Sequence, residues 1–275
     1  MSHSIAIIGA GRIGTALIGG LIRSRIVEPV QIVATARSED TLSKIQSQYG
    51  IHVTTDNARA VEQSDIIILS VKPQNIREVL VEITPAIRPD QLILSVIAGI
   101  TTAAIQKMIG QANPIVRAMP NIPVVVDAGA TAIAAGKGVG ESQLETARTI
   151  FSSVGKVVVV RESQMDAVTG LSGSGPAYIY MVIEALIDGG VKMGLSRDVA
   201  TELSVQTVLG AARLMQETGK HPAVLRDDVT TPGGTAIAAI HELEEHGLRN
   251  MLISAVETAS LRSQALSRLL VNGEE

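Results

Sequence analysis

This chain of 275 residues contains no cysteine and no tryptophan, and it has only three tyrosines and one phenylalanine. Without cysteine it can form no disulfide bond and has no thiol nucleophile. Proteins that bind nucleic acid use basic patches and aromatic stacking platforms. Because the net charge is −4 and aromatic residues make up 1% of the sequence, we expect no nucleic-acid partner.

Long apolar runs and metal-binding patterns are also missing. No stretch of about 20 apolar residues runs without turn-forming residues, so we predict no membrane-spanning segment and no membrane partner. The five histidines have no spacing that suggests a metal site, and we interpret them as surface or loop residues. The first apolar run begins too early to leave room for a signal peptide, so we expect a cytoplasmic protein.

A glycine-rich turn follows that first apolar run. Residues 5–8 lead into G-A-G-R-I-G at residues 9–14, which opens an apolar helical stretch. In dinucleotide-binding folds the first glycine makes the tight turn, the second lets the backbone approach the diphosphate, and the third lets the helix lie close to the strand. The diphosphate then meets the helix N-terminus. The predicted contact residues of this turn are Ile8, Gly9, Ala10, Gly11, Arg12 and Ile13.

The end of the second apolar run indicates which dinucleotide is bound. NAD enzymes carry an Asp or Glu there, which binds the ribose 2′-hydroxyl, but this chain reads T-A-R-S at residues 35–38. The guanidinium of Arg37 and the hydroxyls of Thr35 and Ser38 instead suit a 2′-phosphate. Arg37 alone could equally be a solvated surface arginine. The missing acid favours NADP(H), with NAD(H) as the alternative.

Strand and helix patterns alternate as far as about residue 160, which predicts an α/β fold with a doubly wound sheet. The apolar runs that we interpret as strands are 5–8, 30–36, 51–53, 65–71, 92–96, 115–118, 130–134 and 157–160. Beyond them only helical patterns remain, at about 176–193, 196–218, near 223, 234–246 and 248–270. We therefore predict an N-terminal Rossmann domain over residues 1–161 and an all-α domain over residues 162–275.

Ligands of doubly wound sheets bind at the carboxyl ends of the strands. We therefore expect the residues at those ends to rim one crevice, although each could also be a simple loop terminator. These residues are Asn57, Val71, Lys72, Pro73, Ala98, Gly99, Met119, Pro120 and Asn121.

Two segments of the helical half are rich in small and hydroxyl-bearing residues. L-S-G-S-G-P-A-Y at residues 171–178 precedes a helix with Pro176 near its first turn, where proline is tolerated. We expect another backbone or a ligand to approach closely there. T-T-P-G-G-T at residues 230–235 leads into a second helix, whose free N–H groups could bind a small carboxylate. Viewed alone, the second segment could equally be a well-capped helix.

These motifs resemble those of the pyrroline-5-carboxylate reductase family, and the resemblance covers essentially the whole chain. It is carried by residues 9–11, 71–73, 117–121, 166–178 and 221–234. It implies NADPH-dependent reduction of 1-pyrroline-5-carboxylate to L-proline. It also implies a Rossmann domain and a helical domain that interlocks with a second subunit, in a homodimer or a ring of dimers. An uncharged stretch at residues 167–183 agrees with an apolar face that a partner subunit covers.

The resemblance also implies roles for single residues. Glu162 would approach the substrate ring nitrogen and stabilise its cation or transfer a proton, although Glu162 alone reads as a solvated linker carboxylate. Thr231 and the backbone of Gly233 and Gly234 would hold the carboxylate. Nicotinamide would lie near residues 71–73 and 98–99. The implied catalytic residues are Glu162, Thr231 and Thr235, and the implied substrate-binding residues are Ser174, Gly233, Gly234 and Asn121.

One position departs from the family pattern. Family members commonly have a threonine two residues after Gly234, with its hydroxyl facing the substrate, whereas this chain has Ala236 there. Successive residues of a helix point about 100° apart, so Thr235 cannot simply replace it. Either the hydroxyl is dispensable or a water molecule takes its place.

Two other functions fit parts of the sequence. A dehydrogenase of 3-hydroxy acids shares the two-domain plan, but its catalytic lysine follows the first glycine of G-x-G-x-x-x-K by six residues. Counted from Gly173, that position is Ile179 here. A regulator that binds NADP without turnover would not need the segments at 171–178 and 230–235.

Overall fold

The structure, a computed structural model, describes residues 3–272. Its contacts divide the chain into two compact units. The first contains the chain as far as Ser174 and the segment from Glu257 onward, and the second is Gly175–Val256. The predicted domain boundary after Arg161 does not coincide with the limits of these two units. It divides the chain by function, and it stays a prediction.

Eight strands form one sheet in the first unit. They are β1 (Ile5–Ile8), β2 (Ile32–Thr35), β3 (His52–Thr54), β4 (Ile66–Leu69), β5 (Leu92–Ser95), β6 (Ile115–Met119), β7 (Gly129–Ala135) and β8 (Gly155–Val159). Their order is β3-β2-β1-β4-β5-β6-β7-β8, and every neighbouring pair is parallel except β6 and β7. The order 3-2-1-4-5-6 is that of a doubly wound dinucleotide-binding sheet. The predicted fold class is confirmed, but the sequence did not indicate the antiparallel strand β7.

The central strands are buried on both faces because helices cover both sides of a doubly wound sheet. All four residues of β1, of β4 and of β5 are buried. Successive strand residues point to opposite faces, so Ile7 packs in one core with Leu17, while Ile8 packs in the other with Ile105. The continuous apolar runs in the sequence reflect this double burial.

Twelve α-helices complete the described chain. They are α1 (Arg12–Arg23), α2 (Glu39–Tyr49), α3 (Asn57–Glu62), α4 (Ile76–Ile83), α5 (Thr102–Ile109), α6 (Glu141–Ser152), α7 (Met165–Val168), α8 (Gly175–Lys192), α9 (Arg197–Thr218), α10 (Pro222–Asp228), α11 (Thr235–Glu245) and α12 (Leu248–Asn272). Between Met165 and Asn272 the chain is helical apart from short connections, as predicted. Ser196 caps α9 by accepting a hydrogen bond from the Val199 nitrogen, and Gly219 ends it with φ +63°.

A π-helical turn, Thr169–Gly173, joins α7 to the residue before α8. The segment of small residues that the sequence placed ahead of a helix therefore begins within this π-helical turn and continues into α8. Side chains, and not another backbone, lie closest to Gly173 among the described residues. A Cβ added at Gly173 would lie 2.9 Å from Cε of Met119.

Residues 3–272, the part of the chain that the structure describes, lack two kinds of feature. No helix there is long and apolar enough to cross a membrane. No three or more His, Cys, Asp or Glu side chains there come together in a way that could hold a metal ion.

Candidate active site

The glycine turn after β1 requires glycine at its first and last positions. Gly9 has φ +94°, and an added Cβ would lie 2.7 Å from Cγ1 of Val71. At Gly14 an added Cβ would lie 2.7 Å from the carbonyl oxygen of Gly9. The turn and α1 therefore lie against β1 and the end of β4 too closely for any side chain at these positions, as the motif predicts.

Gly11 differs from the other two glycines because it faces open space. Apart from the adjacent chain itself, no atom of the described residues lies within 4 Å of a Cβ built there, and its φ of −78° suits any residue. The protein's own packing therefore gives no reason for glycine at this position. Gly11 is also the N-cap of α1, and no side chain caps that helix end. The first-turn N–H groups face a space that a diphosphate fits.

The hydroxyl of Thr35 at the end of β2 serves the glycine turn. The hydroxyl oxygen accepts a hydrogen bond from the Gly9 nitrogen at 3.2 Å, and the backbone carbonyl of Thr35 accepts one from the Ala10 nitrogen at 2.7 Å. Thr35 is only 1% exposed. Arg37 and Ser38, the other two residues predicted to contact a 2′-phosphate, are exposed. Among residues 3–272, Arg37 forms no ion pair, so its guanidinium is free to bind an anion.

A cavity of about 480 Å³, here called the glycine-turn cavity, joins most of the predicted cofactor residues. The predicted residues that line it are Gly9, Ala10, Gly11, Thr35, Arg37, Ser38, Asn57, Val71 and Lys72. Lining residues that the sequence did not indicate are Ala36, Thr41, Thr55, Ser70, Asn75, Glu78, Val79 and Glu82. The Asn57 side-chain amide donates to Glu82 at 2.8 Å, so this carboxylate is already engaged at the cavity wall. Ile8 is buried in β1, so only its backbone atoms could contact a ligand, whereas Ile13 is partly buried and packs against the core.

A second cavity of about 570 Å³, here called the α12 cavity, lies beside the end of α12. The predicted nicotinamide residues Pro73, Ala98 and Gly99 line it together with the predicted substrate residue Ser174. Its remaining wall had no signal in the sequence and consists of Gln74, Thr169, Ala259, Arg262, Ser263, Leu266 and Leu269. Residues predicted at the strand ends therefore line both of these cavities. Met119, Pro120 and Asn121 line neither of them.

Glu162 is held by its own protein at both carboxylate oxygens. Oε1 accepts a hydrogen bond from the Thr102 nitrogen at 2.7 Å, and Oε2 accepts one from the Thr102 hydroxyl at 2.8 Å. Nη1 of Arg117 lies 3.8 Å from Oε1. Glu162 is therefore not a solvated linker carboxylate, because it is anchored to the first residue of α5 and to a strand of the sheet.

Arg117 is a buried cation on β6, with 4% of its side chain exposed. Burial lowers the pKa of its guanidinium, and the nearby carboxylates of Glu162 and Asp166 act to raise that pKa. Its Nη2 has no hydrogen-bond partner within the described chain. Arg117 belongs to the motif at residues 117–121 that carries the family resemblance, but nothing in the sequence identified its partners.

Asn121 braces the π-helical turn. Its amide nitrogen donates to the carbonyl oxygen of Ser172 at 3.0 Å, and its amide oxygen accepts from the Ala130 nitrogen at 2.8 Å. The side chain thus connects β7 to the turn that leads to Ser174. These contacts are those of a residue that positions the wall of the α12 cavity.

The T-T-P-G-G-T segment lies in the second unit at the start of α11. Gly233 has φ +68°, and Gly234 is the N-cap, with no side chain capping the helix. The hydroxyl of Thr231 lies over this end, since a Cβ at Gly234 would be 2.3 Å from it. Thr231 and Thr235 are exposed, whereas Ala236 is half-buried. Thr235 and Ala236 therefore occupy different environments.

Comparison with known proteins agrees with this geometry. The family profile for pyrroline-5-carboxylate reductase dimerisation matches residues 162–266, and that for NADP oxidoreductase, coenzyme F420-dependent, matches residues 4–99. A pyrroline-5-carboxylate reductase of Methanosarcina acetivorans is 46% identical over 97% of this chain and 99% of its own.

Two solved structures extend the similarity to the fold. The pyrroline-5-carboxylate reductase of Coxiella burnetii superposes with a TM-score of 0.92 at 39% identity, covering 97% of this chain and 99% of its own. The Plasmodium falciparum pyrroline carboxylate reductase, solved with NADP bound, superposes with a TM-score of 0.85 at 30% identity, covering 97% and 98%. Because relatives at this identity align over nearly their whole length, the chain belongs to the pyrroline-5-carboxylate reductase family.

Proposed function

We propose that this protein reduces 1-pyrroline-5-carboxylate to L-proline with NADPH. The observation that carries this function is the 46% identity to a pyrroline-5-carboxylate reductase over nearly the full length of both chains. The substrate is a cyclic imine that is readily protonated, so the carbon that accepts hydride is already electrophilic. The enzyme then mainly has to orient its ligands and match their charges.

NADP(H) is the proposed cofactor, and NAD(H) is the alternative. The relative from Plasmodium falciparum was solved with NADP bound, and the open space at Gly11 beside the uncapped end of α1 fits a diphosphate. Arg37 and Ser38 would bind the 2′-phosphate, and the backbone of residues 9–13 would bind the diphosphate. When bound, NADPH supplies the hydride.

Substrate binding is proposed for the two segments that precede α8 and α11. Thr231 with the Gly233 and Gly234 backbone would hold the carboxylate, since the N-terminus of α11 is uncapped. Ser174 lines the α12 cavity beside Gly99 and would contact the substrate ring. Thr235 stays a proposed catalytic residue without a described contact to support it. Asn121 is better proposed as a positioning residue because its amide is engaged at both ends.

The contacts of Glu162 change its proposed role. The resemblance implies that it stabilises the substrate cation or transfers a proton. Both of its oxygens accept hydrogen bonds from Thr102, and Arg117 lies close by. Because both carboxylate oxygens are already engaged by Thr102, we propose that Glu162 acts by holding the residues around it in position.

Assembly through the helical unit follows from the dimerisation profile that matches residues 162–266. Large apolar side chains in the second unit are exposed in the single chain, among them Tyr180 (60%), Met181 (70%) and Met193 (82%). We propose a homodimer that covers such residues. A ring of dimers and a cytoplasmic location remain proposals.

An absorbance assay tests the function directly. The purified protein is mixed with NADPH and either 1-pyrroline-5-carboxylate or a 3-oxo acid, and the loss of absorbance by the nicotinamide is followed. We expect rapid NADPH oxidation with the imine and none with the 3-oxo acid. Folded protein that binds NADPH but oxidises none of it with the imine would contradict the proposal.

A further inference from the structure

A carboxylate is unexpected in a cavity that is proposed to bind a dinucleotide with several phosphate charges. Glu82 of α4 nevertheless lines the glycine-turn cavity, together with Arg37 and Lys72. Its side chain is exposed, and it forms no ion pair with the described residues. Because a nearby negative charge opposes the binding of an anion, we looked for a role of Glu82 other than its charge.

The carboxylate of Glu82 holds Asn57, which lines the same cavity. Oε1 of Glu82 accepts a hydrogen bond from the Asn57 backbone nitrogen at 3.3 Å, and Oε2 accepts one from the Asn57 side-chain amide at 2.8 Å. Asn57 is the first residue of α3, and Glu82 follows it by 25 positions, near the end of α4. One carboxylate therefore fixes the Asn57 side chain relative to its own backbone.

This contact also decides which end of the Asn57 amide is left for a ligand. An ionised carboxylate has only acceptor oxygens, whereas a side-chain amide has a donating nitrogen and an accepting oxygen. The nitrogen must therefore face Glu82. Oδ1 of Asn57 accepts no hydrogen bond from the described residues. It is thus the free polar atom of this side chain, and it can only accept.

We propose that Glu82 is a positioning residue, which makes Asn57 a fixed acceptor for the exocyclic amine of the adenine in NADPH. The inference rests on the proposed cofactor and on its place in the glycine-turn cavity. A phosphate oxygen does not suit an acceptor, and a ribose hydroxyl both donates and accepts, so it needs no fixed amide. The amine of adenine donates only. A site with one fixed polarity therefore distinguishes this amine from a carbonyl oxygen at the same position.

Glu82→Gln reverses the polarity of the site. The glutamine oxygen can accept from the Asn57 backbone nitrogen, but its NH2 group then faces the Asn57 amide, which must turn its own oxygen toward it. Asn57 then presents its NH2 group to the ligand. The matching probe is reduced nicotinamide hypoxanthine dinucleotide phosphate, called the hypoxanthine analogue below. In it a carbonyl oxygen replaces the amine of NADPH.

Dissociation constants for NADPH, NADH and the hypoxanthine analogue are measured without the imine, and an unfolding curve confirms that each variant is folded. We expect the wild type to prefer NADPH over the analogue by at least about fivefold. Glu82→Gln should bind NADPH at least about fivefold more weakly than the wild type, and the analogue no more weakly. NADH carries the same amine, so its binding should weaken as much as that of NADPH.

Glu78→Gln is the matched control. Glu78 lies one helical turn before Glu82 on α4 and lines the same cavity, but it makes no hydrogen bond to Asn57. This variant removes an equal charge, so it should bind NADPH at least as tightly as the wild type and keep the preference over the analogue. Asn57→Ala should lose that preference. Adding Glu82→Gln to Asn57→Ala should not weaken NADPH binding further, because Glu82 acts through Asn57.

Three results would overturn the proposal. They are a wild-type preference in Glu82→Gln, equal weakening of NADPH and the analogue in that variant, and a loss in Glu78→Gln as large as in Glu82→Gln. If the wild type binds NADPH but does not reduce the imine, the proposed function fails alone, and the dissociation constants still decide this inference. Binding of none of the three dinucleotides by the folded wild type would overturn both.

Discussion

The hydroxyl oxygen of Thr35 accepts the hydrogen bond of the Gly9 backbone nitrogen at 3.2 Å, and it does so from a side chain that is 1% exposed. This contact ties the end of β2 to the glycine turn after β1. A residue that the sequence suggested as a phosphate ligand is therefore part of the support of the turn itself.

Thr35→Val should lower the stability of the protein and weaken the binding of NADPH and of NADH equally. The change leaves the Gly9 N–H without its acceptor in a buried place, which costs about 1–3 kcal/mol of the free energy of unfolding. Thr35→Ser keeps the hydroxyl and is the matched control. Denaturant unfolding and binding of NADPH and NADH measure the effects. If only the binding of NADPH were weakened, Thr35 would contact the 2′-phosphate after all.

Arg37→Ala should weaken the binding of NADPH and leave the binding of NADH almost unchanged. Arg37 has no ion-pair partner in the described chain, so a 2′-phosphate can take its guanidinium without competition. Loss of a charge-assisted hydrogen bond corresponds to about 1.5–3 kcal/mol, or roughly 10- to 150-fold in affinity. Titration with each dinucleotide gives the two constants. Equal weakening of both would assign Arg37 another role.

Gly11→Ala and Gly9→Ala should separate ligand binding from folding. At Gly11 the added methyl group meets no protein atom, so stability should change by less than about 1 kcal/mol while NADPH binding falls sharply. At Gly9 the methyl group meets Val71 at φ +94°, so unfolding should become easier by more than about 2 kcal/mol. Thermal unfolding with and without NADPH distinguishes the two. Normal NADPH binding by folded Gly11→Ala would contradict the proposed diphosphate site.

Asn121→Asp should loosen the π-helical turn. The carboxylate can still accept from the Ala130 nitrogen but cannot donate to the Ser172 carbonyl. We expect a loss of about 1–3 kcal/mol in stability and a higher KM for the imine, because Ser174 follows this turn. Asn57 makes neither of these contacts and lines the glycine-turn cavity, so Asn57→Asp should change the binding of NADPH instead. An unchanged KM for the imine in Asn121→Asp would remove the positioning role.

The stabilising effect of Asp65 should disappear in acid. Hydrogen bonds from the Ser4 backbone lower the pKa of the Asp65 carboxyl, with its burial opposing them and the Ser4 hydroxyl adding to them. A lowered folded-state pKa gives stability that is present above the unfolded value of about 3.9 and is lost as the pH falls through the folded value. Asp65→Asn should therefore be less stable at pH 7, by less than about 1 kcal/mol because the site is exposed. The difference in stability between the two proteins should shrink as the pH falls below about 3.9, and a difference that stays constant with pH would contradict the assignment.

Local patterns determined much of this protein. The strand runs, the glycine turn and the helix start at Ser196 are set by residues close together in sequence, so periodicity and turn chemistry predict them. The absence of an acidic residue after β2, which favours NADP(H), can likewise be recognised from neighbouring residues alone. The motifs at 171–178 and 230–235 marked where ligands are proposed to bind, although the first proved to be a π-helical turn.

Tertiary structure decided which of these residues meet. Arg117 and Glu162 are 45 positions apart, and Ser263 reaches Asp166 across 97. The periodicity of the sequence indicates neither of these two contacts. The antiparallel placement of β7 and the return of α12 to the first unit depend on how whole elements bury their apolar faces. Tertiary packing also set the surroundings of single residues, because it left Arg37 exposed, buried Thr35 beside the glycine turn and brought Glu162 to Thr102.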